Sequence, residues 1–124
     1  MYKVSVAEKF ASFEDHWIPK IVGELNGQHV KLVKFQGDFL WHHHDAEDEL
    51  FLVVRGWFRM DYRDAAGAER SLELREGEFA IVPRGTEHRP SAPEEVHVLL
   101  FEPATTLNTG NVRDARTVEV PEKI

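Results

Sequence analysis

The chain has 124 residues and no cysteine, with 42% hydrophobic and 30% charged residues and a formal net charge of −7. That length predicts one domain, residues 1–124, with one sizeable core, and the composition is that of a soluble globular chain. The missing thiols exclude disulfides, thiolate catalysis and thiolate-held zinc. The 15 basic and 22 acidic residues are spread evenly, 7 and 10 over Met1–Tyr62 against 8 and 12 over Arg63–Ile124. Such an acidic chain without a basic block predicts no nucleic-acid partner and no anionic membrane partner. No apolar stretch approaches the roughly 18 residues a bilayer span needs, and Met1–Phe10 carries no signal-peptide core. The expected location is the cytoplasm.

In chain order, Ala7–Phe13 reads as one or two helical turns, and almost everything after it alternates with period two. Lys20–Leu25 and Val30–Phe35 form a predicted hairpin through Asn26-Gly27, a pair that tolerates positive φ. Phe39–His44 is expected to continue as a strand after Gly37-Asp38. Strands are then predicted at Glu49–Val54, Trp57–Tyr62, Ser71–Leu74, Glu78–Val82 and Val96–Phe101, with a short one at Thr117–Val120. Breaks at Gly56, Asp64–Gly67, Glu76-Gly77 and Pro83–Gly85 have the spacing of a β-sandwich or barrel. Pro103–Arg116 lacks strand character and reads as a covering loop or a tail packed on a partner. In Trp57–Tyr62, Phe58, Met60 and Tyr62 share one face, and Arg59 and Asp61 share the other. Leu50–Val54 is apolar on both faces. It needs cover from a second sheet, a neighbouring segment or another subunit, which makes a homodimer an expectation.

The chemistry is concentrated in Trp41-His42-His43-His44-Asp45-Ala46-Glu47-Asp48-Glu49. On a strand, His42 and His44 project together and His43 turns away. Glu49 opens the next strand, and His88 follows the Pro83-Arg84-Gly85 corner. Three imidazoles and one carboxylate can close on an octahedral divalent cation, leaving two adjacent positions for water or substrate. Each residue alone also fits a solvated surface, and Glu47 and Asp48 compete with Glu49 on composition. Only the joint spacing points to a metal.

That spacing resembles the cupin superfamily. The first cupin motif places a glycine about five residues before His-x-His, a glutamate three or four residues on, and a glycine six residues later. Gly37, His42, His44, Glu49 and Gly56 follow it, with four rather than five residues after Gly37. The second motif, glycine, five residues, Pro-x-Gly, two residues, histidine, three residues, asparagine, is matched by Gly77, Pro83, Gly85 and His88, with Ala92 where asparagine is common. The resemblance covers about Phe35–Phe101. In detail the chain is similar to small bacterial single-domain cupins of the cupin 2 type, often labelled mannose-6-phosphate-isomerase-like. The resemblance implies an all-β, RmlC-like jelly-roll barrel, with the short helix at its N-terminus, and His42, His44, Glu49 and His88 as metal ligands. Mn, Fe, Co, Ni or Zn suits such donors.

Three neutral imidazoles and one carboxylate around a divalent cation leave a charge of +1, which favours an anionic or polarised oxygen in the open positions. The leading expectation is a metal-dependent enzyme acting on a small oxygenated molecule, by O2-dependent cleavage or by isomerisation. The competing reading is a barrel that binds or senses a small ligand without turning it over. A third is a metal that only closes the barrel. No Ser/His/Asp triad, phosphate-cradling glycine loop or dinucleotide fingerprint is present, which removes hydrolase and kinase readings. Trp41, Phe51, Phe58, Met60, Tyr62 and Phe79 could line a pocket, although core packing accounts for most of them. His97 reads as a core or surface histidine rather than a general base. Arg84 and Arg89 flank the second motif and, if not simply solvated, could meet an anionic ligand. His16 and His29 have no companions in the sequence.

Overall fold

The computed structural model describes all residues from Met1 to Ile124. Its helix, α1 (Val6–Ala11), begins where the Ser5 hydroxyl accepts the Glu8 backbone N–H at 3.3 Å. Six residues are too few for a helix to stand alone in water. Packing holds it, because Phe10 is buried against Val22 and Leu32.

Seven strands follow: β1 (Lys20–Leu25), β2 (Gln28–Asp38), β3 (Glu49–Arg55), β4 (Trp57–Arg63), β5 (Glu69–Arg75), β6 (Phe79–Val82) and β7 (His88–Pro103). They hydrogen-bond in the order β1-β2-β7-β3-β6, and β4 joins β7 to β5. β7 is the axis of the fold. Its first part pairs with β4, Tyr62 opposite His88, and its second part lies between β2 and β3, with Leu32 opposite Leu99 and Leu52 opposite Leu99. All these pairs are antiparallel, and the sheet curls into an incompletely closed jelly-roll barrel. Inner faces contribute a core built around Val33, Phe35, Phe51, Phe58, Val96 and Val98.

The β1–β2 hairpin turns through Asn26 and Gly27 at φ 50° and 77°, as the dipeptide predicts. Two sequence expectations fail. Phe39–His44 is not a strand; β2 ends at Asp38, and the segment makes only a single antiparallel bridge, His42 to His88. Its polar backbone goes to loops instead: the His44 carbonyl accepts from Gly85 N at 2.7 Å and the His43 carbonyl from Asn111 N at 3.0 Å. Thr117–Val120 is not a strand either. Val118 N donates to the Asn108 side chain at 2.8 Å, and the chain end adds only a bridge between Lys123 and Ile21. Conversely, β7 starts eight residues before the expected Val96. Its prolines read as breakers, yet their fixed φ is compatible with an extended path.

The doubly apolar β3 is covered on its inner side by the core. On the outer side, the small cluster around α1 takes in Val22, Leu32 and Leu99 and no residue of β3. The rows Phe101–Leu50–Ile81 and Leu99–Leu52–Phe79 run outward from there, and Phe79 and Ile81 are 60% and 57% exposed. In β4 the face assignment holds for Phe58 and Met60, but Asp61 is buried. The Arg59 and Arg89 guanidiniums donate to it at 2.7 and 2.9 Å and cover it. No helix is long and apolar enough to cross a membrane.

Candidate metal centre

The His-x-His segment is irregular but firmly placed. His42 N donates to the His88 carbonyl at 3.1 Å and His88 N to the His42 carbonyl at 2.9 Å, so both rings sit side by side on the inner face. Their centroids are 4.3 Å apart, and the His44 ring lies 5.0 Å from His42. His43 points away and pairs with Asp45 at 3.0 Å. Glu49 enters at the first position of β3 and is buried. Asp48, adjacent to it, faces out and accepts the Arg84 backbone N–H at 2.8 Å, which fastens the Pro83–Gly85 corner that aims His88 inward. Of Glu47, Asp48 and Glu49, only Glu49 is buried with the histidines.

His42, His44, Glu49 and His88 are all buried and offer ligand atoms within 4.8 Å of one another, a group that could hold a metal ion. Two observations test the fit. His42 Nδ1 donates to the Leu40 carbonyl and His88 Nδ1 to the Thr86 carbonyl, each at 2.9 Å. A carbonyl only accepts, so these bonds fix the tautomer and leave each Nε2 with its lone pair toward the centre. Moreover, His44 Nε2, Glu49 Oε1 and His88 Nε2 are buried and have no hydrogen-bond partner. The two nitrogens approach Glu49 Oε1 to 2.8 and 3.2 Å, but not along hydrogen-bonding directions. Each orphaned buried polar atom costs about 1–3 kcal/mol, and a cation at their meeting point would satisfy all three.

The electrostatics agree. Burial, with the His88 ring adding to it, lowers the His42 pKa to about 3, so that ring is neutral at ordinary pH. Burial opposes ionisation of Glu49, but the neighbouring Glu102 carboxyl and the imidazoles of His44 and His88 outweigh it and hold Glu49 well below the usual carboxylate range. A neutral His42 and an ionised Glu49 need no proton removed before they take a cation.

Beside the group lies a cavity of about 30 Å³ (space open to the centre of a water molecule), lined by His42, Glu49 and Glu102 and by Trp17, Phe35 and Phe39. Trp17 stacks on Phe35 and Phe39 at 4.4 and 4.8 Å, and its indole N–H donates to the Gln36 carbonyl at 2.9 Å. Of the aromatics expected near a pocket, Phe51 also lines it. Phe58 and Met60 are core, Phe79 is exposed, and Trp41 carries the Arg63 and Arg89 guanidiniums at 4.8 and 5.4 Å. Arg84 is engaged by Asp48 and Arg89 by Asp61, so neither lines the cavity. His97 faces outward, stacked on Phe10 at 4.4 Å, which makes it a packing histidine.

Sequence reasoning missed Lys31, Glu102, Trp17 and Asn108. Lys31 Nζ donates to Glu102 Oε1 at 2.9 Å, and each side chain is 2% exposed. Burial and the Glu49 charge push the Glu102 carboxyl well above its ordinary value. The visible signal was phase: Glu102 follows Val96, Val98 and Leu100 by steps of two.

The Pro103–Arg116 segment is a covering loop. Asn108 lines the cavity, and the Asn111 side chain accepts the His43 N–H at 2.9 Å. Gly110, at φ 57°, sits so close that an added Cβ would lie 2.2 Å from the His43 carbonyl oxygen, backbone that cannot yield. Gly110→Ala is expected to lift the loop off the His-x-His segment, costing about 3 kcal/mol for the left-handed conformation and the clash together. Gly67→Ala, left-handed but facing open space, should cost only about 1 kcal/mol. Calorimetric melting of the two variants checks the difference.

The comparisons with known proteins agree with this geometry. The family model described as "Cupin domain" matches residues 29–102. The uncharacterized protein YdbB of Bacillus subtilis (strain 168) is 34% identical over 84 residues, 68% of this chain and 65% of its own length, so the match leaves about a third of that relative uncovered. A cupin-2 domain containing protein from Shewanella frigidimarina NCIMB 400 superposes with a TM-score of 0.75 and 37% identity, covering 81% of this chain and 93% of that one. The hydroquinone 1,2-dioxygenase of Sphingomonas sp. TTNP3, solved with 4-nitrophenol, shares the fold at a TM-score of 0.71 and 16% identity over 81% of this chain and 32% of its own. With the motif spacing, the barrel and the buried His/His/Glu/His group in place, the chain belongs to the cupin family.

Proposed function

We propose that His42, His44, Glu49 and His88 hold one divalent ion, Mn, Fe, Co, Ni or Zn, and that the protein is an enzyme acting on a small oxygenated molecule, by O2-dependent cleavage or by isomerisation. The observation that carries this reading is the meeting of three buried, unpartnered ligand atoms beside a cavity. The ion would supply Lewis-acid polarisation and a template for the ligand. The chain's own residues do the rest. The Leu40 and Thr86 carbonyls fix the His42 and His88 tautomers, and Glu49 brings the only ionised charge in the ligand set. Trp17, Phe35 and Phe39 keep bulk water from the opposite wall. The cavity is large enough to admit water.

Cytoplasmic placement and a homodimer belong to the same proposal. The exposed rows ending in Phe79 and Ile81 give a second copy an apolar seat on the outer face. The test of function is oxygen uptake by Fe(II)- and Mn(II)-loaded protein with small catechols, diketones and hydroxy acids, alongside a carbonyl-isomerisation assay. Turnover in either assay, abolished by Glu49→Ala, supports the reading. No turnover in both, with metal bound, favours a barrel that binds a small ligand without converting it.

A further inference from the structure

β7 changes partners near its middle, and a groove lies on the outer face where it does so. Its ladder with β4 ends at Arg59–Ser91, and its ladder with β3 begins at Arg55–His97. Its register with β2 jumps from Gly37–Ala92 to Phe35–Val96, so Pro93, Glu94 and Glu95 have no ladder partner on either side. The groove measures about 450 Å³ (space open to the centre of a water molecule) and is lined by Gln36, Asp38, Trp57, Arg59, Glu73 and Ser91. Small-ligand sites usually fall at about 300–1,000 Å³.

Four of these residues form one row across four strands. Asp38 on β2 stands opposite Ser91 on β7, Ser91 opposite Arg59 on β4, and Arg59 opposite Glu73 on β5. Two of the charged groups are clamped by buried ones. The Ser91 hydroxyl donates to Asp38 Oδ1, and the Asp61 carboxylate takes the Arg59 guanidinium with both oxygens, at 2.7 and 3.1 Å. Side chains fixed in this way lose less entropy when a ligand binds. Asp38 Oδ2 has no bond within the protein, and Arg59 spends only two of its five N–H donors on Asp61. Trp57 stands beside the row. The Arg75 guanidinium lies 5.7 Å from its ring centre but lines no part of the groove, so the indole is shared between that cation and the groove.

The alternation of charge selects the ligand. A cation would meet Arg59, an anion would meet Asp38 and Glu73, and an apolar molecule would leave all three unpaired. Hydroxyl groups both donate and accept, which suits a row of acceptor, donor and acceptor. A compact ring of C–H groups suits the indole. We infer that this groove binds a neutral saccharide, its ring against Trp57 and its hydroxyls on Asp38, Arg59 and Glu73. No residue of the groove lines the cavity beside the metal group, so the site is independent of the metal reading.

The test is a titration of the full chain with the methyl glycosides of glucose, galactose and xylose at millimolar concentration. The readout is the NMR signal of the Trp57 indole N–H, assigned as the one of three that Trp57→Phe lacks. At least one glycoside should shift that signal saturably. By calorimetry, Trp57→Ala should bind it about 3–10-fold more weakly, and Asp38→Ala, at an exposed position, about 10–100-fold more weakly. The inference is overturned if no glycoside moves the Trp57 signal, or if affinity is unchanged in both variants. It is overturned equally if methylguanidinium, acetate or adenosine binds there more tightly than every glycoside, which would make the groove a site for a cation, an anion or a nucleobase.

Discussion

Lys31→Met should lower the melting temperature of the metal-free protein by about 10–20 °C, the equivalent of about 3–5 kcal/mol lost when one partner of a fully buried pair is removed. Both side chains are 2% exposed, so solvent does not screen the contact. The deficit should depend on pH with a definite sign. Glu102 already sits well above its ordinary value through burial and the Glu49 charge, and Lys31 is what opposes that rise. Below the unfolded carboxyl value of about 4.5, folded and unfolded chains both carry the proton, and the loss of Lys31 costs least there. Just above that value the wild type and the variant both keep the Glu102 proton in the folded state and lose stability alike. The deficit widens once pH passes the wild type's raised Glu102 value, where the wild type ionises against Lys31 and the variant must still keep its proton. Lys31→Met/Glu102→Leu removes both charges and should recover most of the stability. Melts of the three proteins at pH 5 and pH 8 check the sign. A single variant as stable as the wild type at both values would show that the pair carries no weight in the barrel wall.

Glu49→Gln should abolish stabilisation by metal. A ligand at 100 times its dissociation constant stabilises a folded protein by about 2.7 kcal/mol. The wild type should therefore melt about 10 °C higher at such a metal concentration. The isosteric amide keeps the shape of Glu49 but loses the charge, and metal affinity should fall by at least about 100-fold, more than the 10–100-fold typical of groups that only support a ligand. An unchanged thermal response to metal in Glu49→Gln would move the binding site away from these residues.

What the sequence revealed and what it hid follow from one difference. The ligand set was legible because turn chemistry fixes it: Gly56 and Gly77 punctuate strands, and the Pro83–Gly85 corner sets the distance to His88. The strand at Glu49 begins at the residue expected. Ambiguity among Glu47, Asp48 and Glu49 could not be settled by composition, because what separates them is the Arg84 backbone N–H that claims Asp48 from a distant loop. Lys31 was hidden by phase. β2 is apolar on both faces, with Val33 and Phe35 inward and Leu32 outward under α1, so alternation alone does not say which way Lys31 points. A lysine in the middle of a barrel wall runs against residue statistics and is explained only by its partner 71 positions away. The His-x-His segment misled in the other direction. It alternates like a strand, but its backbone is bonded to two loops, at Gly85 and Asn111, and to β7 only at His88 and Pro90. The last expected strand, Thr117–Val120, failed for the same reason, the Thr117 and Val118 N–H groups being taken by Asp114 and Asn108.

The central claim is that the four buried side chains converge on a single ion. A crystal of the protein grown with Mn(II) or Zn(II), with anomalous scattering recorded at the metal edge, tests it most directly. The account predicts one strong peak per chain, about 2.0–2.3 Å from the Nε2 atoms of His42, His44 and His88 and from a Glu49 oxygen. A structure in which ordered water or a rotated side chain fills that point, and the metal scatters elsewhere or nowhere, would contradict it.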